Sequence, residues 1–153
     1  MKIERFEDLE CWQAARALTK SIYGYARRAG FSMDYRLSGQ ITGAASSIMN
    51  NICEGFDVRS DREFIRFLFY SRRSCSEVQN CLYIASDQKY ISNDEFQQTY
   101  DHCTKIRKII DGLIRYLKVP NSSIQDRTPS PGKPGISPAA DKYHPKSGRP
   151  ATD

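Results

Sequence analysis

No proline interrupts the first 119 residues of this chain; all seven lie at or beyond Pro120. Over those 119 residues apolar side chains recur every three or four positions, so the segment is constrained towards long amphipathic helices. Residues 120–153 are the reverse. They are dense in Pro, Ser, Gly and charge and carry no apolar period, too little to offset the entropy of ordering the chain. The sequence therefore predicts one domain over residues 1–119 and a disordered Pro/Ser/Gly-rich tail over 120–153.

Four helices follow from period and end signals. The first, over about residues 8–29, places Cys11, Ala15, Leu18, Ile22 and Ala26 on one face with Trp12 at its margin, and Gly30 is read as its stop. The second, about 36–55, carries Leu37, Ile41, Ala44, Ile48 and Ile52 inward. SDRE at residues 60–63 and SNDE at 92–95 are capping-box sequences that open the third and fourth helices. The third runs to about residue 87 with Phe64, Phe67, Leu68, Ser71, Cys75, Val78 and Leu82 inward. The fourth turns in Phe96, Cys103, Ile106, Ile109, Ile110, Leu113 and Leu117. Short connections between long helices favour antiparallel neighbours, so the fold class is all-α: an antiparallel up-and-down four-helix bundle with a disordered C-terminal tail.

The second helix also carries a polar seam. In AASSIMNNICEGF, Ser47, Asn51 and Glu54 stand at i, i+4 and i+7 beside the apolar face, with Arg59 just beyond the turn as a partner for Glu54. A carboxylate buried there without a partner would be costly, whereas a hydrogen-bonded seam fixes the register of a neighbouring helix. The expectation is structural specificity, with Glu54 as a buried acceptor.

Chemistry leaves few marks. None of the phosphate-loop, dinucleotide-binding, nucleophile-elbow or zinc-helix patterns occurs, and of the two histidines His144 lies in the tail and His102 stands alone on the fourth helix. The five cysteines, at 11, 53, 75, 81 and 103, form no CxxC pair. With an opening MKIERFEDLE that is charged rather than apolar, and no run of ~20 apolar residues, the expectation is a cytoplasmic protein with reduced thiols and no membrane span. No catalytic residue, metal site or cofactor is predicted. Glu54 and Glu77 are the carboxylates that would serve an acid–base pair, but spacing supplies neither a pocket nor shifted proton affinities.

Charge is more informative. There are 23 basic and 18 acidic residues, a net +5; five basic and three acidic lie beyond residue 119, which leaves +3 for the domain. On the third helix Arg59, Arg62, Arg66 and Arg73 fall within about 60° of one another, opposite the apolar stripe and flanked by Phe69 and Tyr70. Lys105, Lys108 and Arg115 project from the outer face of the fourth. Two such ridges suit a phosphate backbone, each contact releasing counterions; the competing reading is a solvated face with Asp61, Glu63 and Asp111 nearby. Outward Phe69 and Tyr70 further suggest burial against another subunit.

Several stretches resemble a known family. FEDLECWQAA, with Phe6, Leu9, Trp12 and Ala15, is the first; QITGAASSIMNNICEG, with Gln40, Ala44, Ser47, Asn51, Glu54 and Gly55, is the second. RSDREFIRFL, with Arg59, Ser60, Phe64 and Leu68, follows, and Ser74 and Glu77 close the match. Over roughly residues 6–117 the chain resembles the bacterial four-helix-bundle proteins named for intervening sequences in ribosomal RNA genes, relatives of the accessory variability determinants of diversity-generating retroelements. That resemblance implies a bundle, a homo-oligomer with a pentamer favoured, and binding to RNA or DNA or to a reverse transcriptase rather than catalysis. Thr42 and Gly43 stand where the family commonly carries basic residues, Ser71 where Ala is usual, and Arg73 where Gly is usual. The loss of positive charge at 42 and 43 weakens a nucleic-acid reading through the second helix, and Arg73 either shifts that reading to the third helix or only crowds a close helix contact. A protein-interaction scaffold without nucleic-acid binding is the alternative function.

Overall fold

Helix boundaries are set by side chains that satisfy free backbone donors, and the computed structural model, which describes residues 3–119, shows these caps in detail. A 3-10 turn at Phe6–Asp8 leads into α1 (Glu10–Ala26), followed by a short α2 (Ala29–Met33), α3 (Tyr35–Asp57), α4 (Asp61–Asp87) and α5 (Asn93–Leu117). Ser92 caps α5 reciprocally: the Glu95 N–H donates to Ser92 Oγ at 3.2 Å and the Ser92 N–H to Glu95 Oε2 at 2.9 Å. The expected box at Ser60 is only half formed. The Glu63 N–H reaches Ser60 Oγ at 3.5 Å, but the Glu63 carboxylate turns to Arg66. At the other end of α4, Lys89 adopts φ 60°, and the Tyr90 and Lys89 N–H groups return to the Ala85 and Ser86 carbonyls, a Schellman closure made without glycine.

The first helix is shorter than its apolar period predicts. It ends at Ala26, and Gly30, read as its stop, lies inside α2. Tertiary contacts cause the break. Arg28 becomes extended (ψ 146°) so that its guanidinium grips Glu95 through two hydrogen bonds of 2.6 and 2.8 Å, and Phe31 turns inward to stack on Tyr90 at 4.9 Å. The proline-rich tail lies outside the described residues.

Each long helix packs on two others: α1 on α3 and α5, and α4 on α3 and α5. Consecutive long helices are antiparallel neighbours and the last closes on the first, which is the predicted bundle. Leu18 and Ile22 of α1, Ile48 and Ile52 of α3, Phe64, Leu68 and Leu82 of α4, and Ile106 and Ile110 of α5 fill its axis with no exposed surface. Each such side chain contributes about 1.5–3 kcal/mol by leaving water. Among the described residues no helix is long and apolar enough to cross a membrane.

The Arg28–Glu95 clasp gives the fold a pH dependence. Hydrogen bonds from Arg28, then from the Ser92 N–H, lower the Glu95 carboxyl from an ordinary 4.5 to about 2. A carboxylate whose folded pKa is depressed adds stability above its unfolded pKa and loses it as pH falls towards the folded one. Between pH 5 and pH 2.5, therefore, the melting temperature of the wild type should fall more steeply than that of Glu95→Gln. The pair is partly exposed, so the difference is on the order of 0.2–1 kcal/mol; parallel melting curves would mean the clasp contributes nothing.

Candidate nucleic-acid interface

The polar seam is the contact along which α3 and α4 are registered. Asn51 Nδ2 donates to the Ser47 carbonyl at 2.8 Å and to Ser47 Oγ at 3.2 Å, and Ser74 of α4 donates to the same Ser47 Oγ at 3.2 Å. One turn away the fully buried Ser71 hydroxyl donates to the Ile48 carbonyl at 3.0 Å. The Ser71 hydroxyl thus has a partner in the facing backbone, so its burial leaves no donor unsatisfied.

Glu54 and Arg59 do not complete this seam. Both are exposed, and among the described residues neither forms an ion pair with the other. Glu54 sits where α3 is ending and the groove opens to solvent, so it is no buried acceptor. Arg59 lies before α4 with φ 51°, which removes it from the helical stripe that its spacing suggested. At the same end Gly55 brings α3 against α4: a Cβ built there would fall 2.6 Å from Phe67 Cβ and 2.7 Å from Phe64 Cδ2.

Arg62, Arg66 and Arg73 all stand exposed on the outer face of α4, and Lys105, Lys108 and Arg115 on that of α5. The two ridges are on neighbouring helices and do not converge on one pocket. Of the carboxylates that might neutralise them, Asp111 is taken by Arg72 at 3.1 Å, across the α4–α5 contact. Glu63 lies 3.4 Å from Arg66, whose Nε donates to Tyr70 Oη at 2.9 Å. Phe69 is 41 % exposed with the Lys118 ammonium 5.9 Å from its ring, whereas Tyr70 is half-buried and edge-on to Phe67. Tyr70 therefore has its hydroxyl and an edge contact of its ring engaged within the chain.

Residues with nucleophilic chemistry are turned inward. Cys11, Cys75, Cys81 and Cys103 are buried and Cys53 is half-buried; all five are free thiols. Burial pushes Cys11 and Cys75 up to about 12 and Cys103 upward as well, which keeps these thiols protonated. His102 is half-buried beside Lys105, and burial followed by that charge lowers its pKa.

Sequence reasoning missed a small pocket of about 330 Å³ on α4, lined by Tyr70, Arg73, Ser74 and Glu77. A signal was present: Tyr70, Ser74 and Glu77 repeat the i, i+4, i+7 spacing of Ser47, Asn51 and Glu54. It becomes readable only once the antiparallel register of α3 and α4 is known.

Comparison with known proteins places the chain beside a family model and solved structures. A family model described as 23S rRNA-intervening sequence protein matches residues 7–112. A crystal structure from Bacteroides thetaiotaomicron VPI-5482, described as a protein with unknown function from the S23 ribosomal protein family, is similar with a TM-score of 0.63 at 21% identity. The match covers 69% of this chain and 95% of that chain. At that identity the likeness speaks for the fold. No curated protein matches the chain.

Proposed function

The chain belongs to the 23S rRNA-intervening sequence protein family, and on that premise we propose that it is a non-enzymatic accessory protein that binds the phosphate backbone of RNA or DNA. The observation that carries this reading is the charge balance of the two ridges. Arg62, Arg73, Lys105, Lys108 and Arg115 are exposed and form no ion pair among the described residues, while Asp111 is neutralised by Arg72. Free cations in register along helices are what a phosphate chain needs for positioning, without reading of bases. The protein acts as a homo-oligomer, a pentamer being favoured, so that several copies of a weakly basic surface combine their attraction. A reverse transcriptase is the protein partner, and the site of action is the cytoplasm, where the five free thiols stay reduced. The alternative, a protein scaffold, draws on Tyr83 and Ile84, apolar side chains 55% and 41% exposed on α4.

Full-length protein should retard a structured RNA or DNA at ~50 mM salt and release it by ~200 mM, because about six phosphate contacts lose on the order of a thousandfold in affinity over that range. Light scattering on the same sample should give a multiple of the 17.5 kDa chain mass. Absence of any retardation at low salt would favour the scaffold, and a monomer mass at micromolar concentration would remove the oligomer.

A further inference from the structure

Glu77 is out of place on a surface meant for phosphate. It lies one helical turn from Arg73 on the outer flank of α4, at the i, i+4 spacing that commonly pairs such residues, yet no ion pair joins the two. Both line the pocket of about 330 Å³ together with Tyr70 and Ser74. A carboxylate repels phosphate, so its presence beside a free arginine calls for a ligand that offers an anion and a hydrogen-bond donor a short distance apart.

The remaining wall of the pocket sharpens that requirement. Ser74 gives its proton to Ser47 Oγ, so what its oxygen has left is the capacity to accept. An ionised Glu77 only accepts, and Arg73 only donates. One side of the pocket thus binds an anion and the other takes a hydroxyl proton. The Tyr70 ring forms a wall beside them, with its hydroxyl held by Arg66 Nε at 2.9 Å. A base can lie against such a ring, because every base presents a π face.

We infer that this pocket is a ribonucleotide subsite on the arginine ridge, in which Arg73 holds a backbone phosphate, Glu77 accepts the single hydrogen bond a ribose 2′-hydroxyl can donate, Ser74 forms the polar floor beneath it, and Tyr70 supports the base of an unpaired nucleotide. The inference rests on the nucleic-acid reading above and adds a preference for single-stranded RNA. A deoxyribose brings the same phosphate but no donor, so Glu77 opposes it without return; the 2′-hydroxyl is the group by which a protein tells the two polymers apart.

The test uses full-length protein and three labelled single strands of one sequence: RNA, DNA and 2′-O-methyl RNA. Wild type should bind RNA about 3- to 10-fold more tightly than either of the others, the range of one net hydrogen bond. Glu77→Ala should bring the three affinities together, lowering that for RNA and raising that for DNA. Arg73→Gln should weaken all three. Circular dichroism should be unchanged in both variants, since both side chains are exposed. Salt-sensitive binding that is equal for RNA and DNA, or an RNA preference that survives Glu77→Ala, overturns the subsite and leaves the backbone-binding reading standing. Binding of no strand at low salt overturns both.

Discussion

Gly55→Val is expected to lower the melting temperature of this protein by roughly 10 °C or more. Gly55 is the point at which α3 rests on α4, and even a single methyl there would lie 2.6 Å from Phe67 Cβ and 2.7 Å from Phe64 Cδ2. Phe67 Cβ is fixed to the helix backbone and Phe64 is fully buried, so neither can swing aside. Overpacking of this kind costs about 1–3 kcal/mol or more, and valine brings two further methyls. For a domain of this size each kcal/mol moves the melting temperature by about 4 °C. Gly43, also in α3, is the matched control. Nothing lies within 4 Å of a Cβ there, so Gly43→Ala should stabilise by about 0.8–1.0 kcal/mol from helix propensity alone. A Gly55→Val protein that melts like the wild type would mean that the helices stand further apart at this end.

Why some features are legible in the sequence and others are not follows from the range of the forces that make them. Ser92 and Glu95 satisfy each other's backbone neighbours within four residues, so the start of α5 is written locally. The apolar stripes of α3, α4 and α5 depend on helical period alone, and the bundle follows from them. The end of α1 depends on Arg28 finding Glu95, 67 positions away, and on Phe31 finding Tyr90, also far along the chain; no local pattern anticipates either. The start of α4 is ambiguous for a different reason. Glu63 has two partners within reach, the Ser60 backbone and Arg66, and its carboxylate takes the guanidinium.

The candidate site divides along the same line. Ser47 and Asn51 are readable as a seam, but Ser74, which bonds Ser47, and Ser71, which bonds the Ile48 carbonyl, come from the facing helix. Glu54 escapes such reading because spacing gives a direction around the helix and not the depth of the groove at that height. Arg59 has the angular position of the α4 ridge but precedes the helix. The family resemblance read from the sequence agrees with the family match over residues 7–112.

Replacing Arg62, Arg66 and Arg73 together with glutamine is expected to cost nucleic-acid affinity on a large scale while leaving the fold and the mass of the assembly unchanged. All three side chains are exposed, so the bundle core does not sense their loss. Arg62 and Arg73 hold no carboxylate, and Arg66 shares Glu63 only at 3.4 Å. In an oligomer the loss is repeated in every copy, which multiplies a modest local effect. Intact affinity in this variant would transfer the interface to Lys105, Lys108 and Arg115 on α5 or to another surface.

The salt dependence of binding tests the central claim most directly. Affinity of the wild type for a duplex should fall linearly on a plot of log K against log salt, and the triple variant should give a line flatter by about 0.9 for each phosphate contact removed, or about 2.7 per engaged copy. Identical slopes for the two proteins, or wild-type binding that does not respond to salt, would contradict a phosphate-binding arginine ridge on α4.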